Sequence, residues 1–599
     1  MSRSECRRAF TLLLAALCLP LNAAASALTN RLAQHPSPYL ALHGSDPVAW
    51  QEWNADTVAR ARRENKLLFV SVGYFACHWC HVMQRESFKN AQIAALLNRD
   101  YIPVKVDREI NSGLDDALQT FSAQLNGIAG WPLNAFVTPE GYPVFVVLYA
   151  PSDAFRTQIT HLNRRWVADR AGLGNMARQA APPPARPPVD VPLTRERAER
   201  AWQQFVASAW KEADTLHGGF GQISKFPMAP QLHALLERQA RQPDAKLDEF
   251  LRLTFDQMAN RGLRDHVGGG FFRYTVGPEW DTPHFEKMLY DNAHLVSLYL
   301  RAASVLRQPR YRDIALSTLD FMRAEMLDAS GGFYTSTSAV DDKGREGATY
   351  LWEPEELKRR LSPAVYTAAR RVWRLDVARE LEDGYLPAEY RTPTADERRL
   401  LVEALRVLRP VRLARPLPKD DKLTAGLNGL ALTAFSQAAA LDPAYRQQAD
   451  RLQAFLLAQL VRDGKLVKGR ARGQVLPHAE LEDYAYVVQG LLDHADATGN
   501  TQSRTYAREL AQVAWQNFWS DRGWKHEAAP LLATLQPEPA LADGALYSPS
   551  DVLILASLRI QDASLQRMAR TAAAWRVPAM EADAYVYPTR SRLLTQAVP

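Results

Sequence analysis

Cysteine is the scarcest reactive residue in this chain. Four occur in 599 residues, and two of them, Cys6 and Cys18, fall within the first 27. A fold stapled by a disulfide framework needs several spread pairs, so that class is excluded. Long apolar runs are missing as well. "FTLLLAALCLPL", about a dozen residues near the start, falls short of the ~20 that a membrane span requires. No block of Lys and Arg interleaved with aromatics occurs, and the formal net charge is +6. Nucleic acid is therefore not an expected partner. Hydrophobic residues at 47% and charged ones at 23% indicate a globular chain. Its length calls for two or more domains.

The first residues have the pattern of a cleaved export signal. Arg3, Arg7 and Arg8 precede the apolar run, and "AAASA" offers small residues for cleavage after Ala25 or Ala27. A lipid-modified Cys18 is opposed by Leu17, where a small residue is wanted. The expectation is a signal peptide over 1–27 and a periplasmic or secreted protein with no membrane-spanning segment after cleavage. Losing three Arg and one Glu would leave a charge of +4. It would also leave Cys77 and Cys80 as the only cysteines, which points to a reactive pair.

Residues 28–170 alternate between strand and helix patterns. "LLFVSV" reads as a buried strand, "YIPVKVD" as a second, and "NAFVTP" with "YPVFVVLY" as a hairpin turning at Glu140–Gly141. The helix after the cysteines breaks near Lys89–Asn90. This predicts an α/β sheet with helices on its faces. "AAPPPARPPVDVP" is a semi-rigid linker, and 171–195 is the expected domain boundary. Over 196–599 the strand signal nearly vanishes. Helical periods at Leu247–Arg261, Phe285–Ala303, Thr424–Ala440, Leu481–Thr498 and elsewhere predict paired helices in a curved array or closed barrel.

"ACHWCH" (Ala76–His81) admits three chemistries. A strand, C-x-x-C, then a helix is the setting of a thiol–disulfide pair. The helix N-terminus stabilises a Cys77 thiolate, His78 adds positive charge, and Cys80 one turn on resolves the mixed disulfide. Trp79 would form an exposed lip. Trp131 and a cis Pro132, just before the hairpin, would shape the substrate groove. Cys77-x-x-Cys80-His81 also fits covalent haem c attachment, although no second such motif occurs and the surroundings are α/β. Zinc would need four ligands from one turn of chain, which converge poorly. No metal is expected, and the redox-active disulfide is the expected cofactor.

"SPYLALHGSDPVAWQEW", "CHWCHVMQRESF", "VKVDRE" and "GWPLNAFVTPEGYPVF" resemble the YyaL-like thioredoxin-domain family, which includes the spermatogenesis-associated thioredoxin-like proteins. "GGGFFRYTVGPEWDTPHFEKMLYDNAHL", "DDKLTAGLNGL" and "LEDYAYVVQGLL" extend the resemblance past the linker. It implies a multidomain chain: an N-terminal thioredoxin-like α/β domain fused to an all-α (α/α) barrel of the six-hairpin glycosidase type. It also implies Cys77 and Cys80 as the redox pair, with Pro132 beside them. Ile110-Asn111-Ser112 and Leu427 depart from the family's usual residues.

In the helical half, His284, Glu286 and Asp291 are placed to gather among Trp280, Phe285 and Tyr290, with Asp483 as a partner at another helix start. Aromatic rings with carboxylates suit a sugar, and hydrolysis needs one protonated and one ionised carboxyl. An epimerase would instead pair His284 with His217 or His478. The plain reading is that these acids cap helices. The function expected is an exported thiol–disulfide oxidoreductase acting on a protein thiol or disulfide, with the barrel recognising the partner or a glycan. A carbohydrate-active enzyme with a regulatory thioredoxin-like domain, and a non-catalytic binding protein, are the alternatives.

Overall fold

The computed structural model describes residues 28–181, 193–377, 381, 384–520, 522–535, 542–575 and 583–598. The expected signal segment and Pro183–Pro192 lie outside these residues.

The N-terminal sheet is built on β1 (Leu68–Gly73), every residue of which is buried. β2 (Ile102–Asp107) runs parallel on one side, and β3 (Leu133–Val137) with β4 (Pro143–Val147) forms the antiparallel hairpin on the other, giving the order β2-β1-β3-β4. Helices cover both faces, which is why β1 and β2 are continuous apolar runs. In chain order they are α1 (Pro38–Leu42), α2 (Ala55–Glu64), α3 (His78–Met83), α4 (Ala91–Asp100), α5 (Ser112–Asn126), α6 (Ser152–Ala168) and α7 (Arg170–Ala180). The predicted break at Lys89–Asn90 is real: α3 ends in a wide turn over Gln84–Phe88, and the Asn90 side chain caps α4. Residues 171–180, placed with the linker above, are instead helical. Asp169 caps that helix, and Leu173 and Ala177 bury against the domain, so the first domain reaches at least to Ala180.

The second domain contributes α8 (Arg195–Glu212), α9 (Ala229–Arg241), α10 (Ala245–Asn260), α11 (Leu289–Val305), α12 (Pro309–Phe321), α13 (Pro354–Arg360), α14 (Pro363–Val372), α15 (Ala395–Leu413), α16 (Ala425–Ala438), α17 (Pro443–Phe455), α18 (Leu481–Thr498), α19 (Thr501–Phe518), α20 (Pro549–Arg559), α21 (Ala563–Ala574) and α22 (Pro588–Ala597). Helices α9, α11, α16, α18, α20 and α22 pack each on the next, and α22 closes onto α9. Around this ring, α10, α12, α17, α19, α21 and α8 back the inner helices one to one. Six inner and six outer helices make a closed (α/α) barrel. Gly429 and Gly490 permit its tightest contact: a Cβ on Gly429 would lie 2.6 Å from the Tyr486 backbone, and one on Gly490 would lie 2.5 Å from the Gly429 carbonyl. Helices α13–α15 form an insertion with a core of its own around Trp352, Val365, Val372 and Leu408. The expected thioredoxin-like α/β domain joined to an (α/α) barrel is the architecture found. No described helix is long and apolar enough to cross a membrane.

Candidate active site

β1 delivers the chain into a short loop, and Cys77 follows as the N-cap of α3. Its Sγ accepts the Cys80 N–H at 3.1 Å and is joined to Cys80 Sγ in a disulfide, with an S–S distance of 2.16 Å. The β1–β3 register sets Val72 opposite Leu133. The cis Trp131–Pro132 bond therefore sits at the strand end from which the cysteine loop leaves, and the Trp131 ring is 5.6 Å from Tyr74. A Cβ on Gly73 would come within 2.2 Å of the Tyr39 hydroxyl and 2.8 Å of Cys80 Sγ. Both groups thus face the gap left by the missing side chain, and the buried Tyr39 hydroxyl has no hydrogen-bond partner. Deeper still, Lys105 donates to Ser71 Oγ at 2.9 Å inside a box of Tyr39, Trp50 and Phe88 rings. Burial pulls its ammonium down to about 7, with Asp46 opposing.

The disulfide is covered. Cys77 is 3% exposed and Cys80 1%, and the second domain lies against the cysteine turn. His78 Nδ1 is 3.3 Å from Glu346, whose other oxygen is 2.6 Å from His284 Nδ1. Burial lowers the pKa of His78, with Glu346 opposing. Desolvation thus disfavours, and Glu346 favours, the positive charge expected of His78 beside the sulfur. Trp79 is 42% exposed and packs 5.0 Å from Tyr149, forming the open side of the turn. His81 Nε2–H donates to the Phe75 carbonyl at 2.8 Å, and burial pulls the ring down to about 4.

The predicted sugar-site residues do not form one open cleft. Glu286 is buried and accepts from Tyr74 at 3.2 Å, and Arg273 lies 3.4 Å from it while also bonding the Tyr74 hydroxyl. Arg273 and Arg108 both lie over the Trp131 ring, and Asp115 joins them by accepting from Trp131 Nε1 at 2.9 Å. Glu286 thus binds the barrel to the cysteine domain. Asp291 stands in the first turn of α11, where burial raises its carboxyl to about 8 against the pull of Arg273. Asp483 is a cap: its carboxylate accepts the N–H groups of Glu480 at 2.9 Å and Gly426 at 3.0 Å. Burial raises it to about 7, with Lys468 opposing. The Lys468 ammonium fills the centre of the Glu480–Glu482–Asp483 cluster, at 2.8, 2.9 and 3.1 Å.

Trp280 and Phe285 are wholly buried and line no groove. Trp280 Nε1 donates to the His217 carbonyl, and Phe285 stacks on Tyr350. His217 pairs with Asp214 and His478 stands exposed on a strand, so neither joins His284 as a paired base.

These residues instead compose a seam at the N-terminal end of the inner helices. Lys422, just before α16, lies 2.8 Å from Asp107 and 3.0 Å from Glu109 of the first domain, and it also bonds Asp420. Burial alone would lower this ammonium, but Asp107, Asp420 and Glu109 hold it well above its ordinary value. Glu480, just before α18, accepts from the Ser112 side chain and backbone. Two of the residues that depart from the family pattern, Ser112 and Leu427, border this seam. The space left there, between Arg108, Tyr290, Lys468 and Asp483, is ≈ 30 Å³. That admits a water or two and no sugar ring. Tyr39, Lys422, Arg273 and Glu346 were not picked out from the sequence. The one signal available was the lysine of "DDK" just before a helix start.

The family model described as Thioredox_DsbH, Protein of unknown function, DUF255, matches residues 29–181. Spermatogenesis-associated protein 20 of Homo sapiens is 31% identical over 558 residues, covering 82% of this chain and 70% of the relative. An uncharacterized protein of Caenorhabditis elegans is 29% identical over 556 residues, covering 83% of this chain and 76% of the relative. Among solved structures, a D-mannose isomerase aligns with 64% of this chain and 86% of its own at 10% identity, with a TM-score of 0.43. Sequence identity across both domains thus places the chain in the family of spermatogenesis-associated protein 20.

Proposed function

We propose that the chain is a thiol–disulfide oxidoreductase that works through Cys77 and Cys80, is exported to the periplasm or beyond, and acts on a protein partner. The observation that carries this reading is the N-cap placement of Cys77 at the end of the central strand, next to the cis Trp131–Pro132 bond. In the reduced state, the N-terminal N–H groups of α3 stabilise a Cys77 thiolate. That thiolate attacks a substrate disulfide, forming a mixed disulfide and releasing one substrate thiolate. Cys80 then attacks Cys77 Sγ, freeing the second substrate sulfur. The enzyme loses two electrons, the substrate gains them, and two protons end on the substrate thiols. The same steps in reverse oxidise a dithiol.

The burial of Cys77 adds a condition: a macromolecular substrate reaches it only when the His78–Glu346–His284 contacts part. Cys80→Ser should then hold the intermediate as a covalent complex. Incubated with a disulfide-containing peptide, this variant is expected to give a mixed disulfide at Cys77, seen by mass spectrometry and released by dithiothreitol. No adduct with Cys80→Ser under conditions where the wild type turns over would reject the assignment of Cys77 as nucleophile.

The carbohydrate reading at Asp291 and Asp483 gains no support from the seam, where those acids serve packing and capping.

A further inference from the structure

The barrel interior holds a second space, distinct from the small one at the seam. A cavity of ≈ 180 Å³ lies on the ring axis and is lined by all six inner helices. It runs from His294 in the second turn of α11 towards Gln437, Arg559 and Gln596 near the C-terminal ends of their helices. Among the described residues, its wall contains no Asp or Glu. Two cations reach it. Arg559 is neutralised by Asp493 at 2.7 Å and Asp496 at 2.8 Å. Arg592, half-buried, has no ion pair among the described residues, and its Nε makes no hydrogen bond.

Beside it, His294 is 4% exposed, its ring nitrogens have no side-chain hydrogen-bond partner among the described residues, and the Ala545 backbone is the one polar group that raises its pKa. Burial lowers this imidazole to about 3, so the neutral ring offers one donor and one acceptor. The edge-on ring of Tyr547 at 4.6 Å fixes its orientation, and Tyr547 is itself held by His233 Nδ1 at 3.1 Å. Ser297 and Gln489 complete a polar wall.

A buried imidazole without side-chain partners is costly unless something else satisfies it. Arg592 feels Glu237 and Asp543 only through space and pairs with neither, so its guanidinium fork is left to match the carboxylate of a monoanion. The remaining polar groups match hydroxyls. We propose that the axial cavity binds a small hydroxylated carboxylate, with Arg592 taking the carboxylate and His294 a hydroxyl. The site is a binding site: the paired carboxyls that glycoside hydrolysis needs are absent from its wall. This proposal is independent of the cysteine chemistry.

Isothermal titration of the full chain tests it with glycerate, D-gluconate and D-galacturonate, with D-glucitol and D-galactose as neutral counterparts, and with inorganic phosphate. At least one acid should bind ten-fold or more tighter than its neutral counterpart and than phosphate. Arg592→Gln should weaken that binding at least ten-fold with an unchanged melting temperature. Should that variant fail to fold, Gln489→Leu should weaken the same acid. The proposal is overturned by no binding across the three acids, by equal binding of the neutral sugars, by phosphate binding as tightly (an unspecific anion site), or by undiminished affinity in a folded variant.

Discussion

At one end of the barrel, Lys422, Lys468 and Arg273 each sit among carboxylates, and the other domain seals them in. Along the barrel axis, Arg592 and His294 face a cavity with no acid in its wall among the described residues. Both regions bring basic groups out of water, which is expensive, but they are satisfied differently. The seam is complete within the chain, so its charges serve assembly. The axial cavity is incomplete without a ligand.

Breaking the seam should have the largest effect. Lys422→Met leaves Asp107, Asp420 and Glu109 buried against one another, and stability should fall by about 3–5 kcal/mol in urea unfolding. A loss below ~1 kcal/mol would mean that the two domains are not joined through this lysine.

A smaller effect, readable by its pH dependence, concerns Asp291. Its carboxyl is raised to about 8 by burial, whereas an unfolded Asp titrates near ~3.9. Between those values the folded chain keeps a proton that the unfolded chain has released. Stability is therefore lost as pH rises through that window. Asp291→Asn removes the penalty, so the variant should gain on the wild type between pH ~5 and pH ~8. A difference that does not change with pH would show that Asp291 is already ionised in the folded chain.

The smallest effect belongs to the axial cavity. Arg592→Gln should change stability without ligand by less than ~0.5 kcal/mol, because the half-buried guanidinium makes no ion pair among the described residues. A loss approaching that of Lys422→Met would erase the contrast between the two regions.

How far these regions were legible in sequence follows the same division. The cysteine turn is local: a buried strand, an N-cap cysteine, a helix and a proline before the hairpin all leave short-range patterns. "LLFVSV" and β1 differ by one residue at each end. The helical pairs were legible through their period, and Asp483 was legible as a cap because capping is a local act. The closure of α22 onto α9 was not, since no single segment encodes which helices meet. The seam was hidden for the same reason. Glu286 and His284 stand two residues apart and looked like one site, but Glu286 turns to Arg273 and Tyr74 while His284 turns to Glu346. A buried Lys422 reads in sequence like any surface lysine, because Asp107 and Glu109 are more than three hundred residues away.

The central claim is that Cys77 and Cys80 exchange electrons with a partner disulfide. Insulin reduction by the full chain with dithiothreitol as electron source tests it most directly, comparing the wild type with Cys77→Ser at equal folded concentration. The account predicts catalysis by the wild type and a fall to the uncatalysed rate in the variant. Equal rates for the two proteins would contradict it.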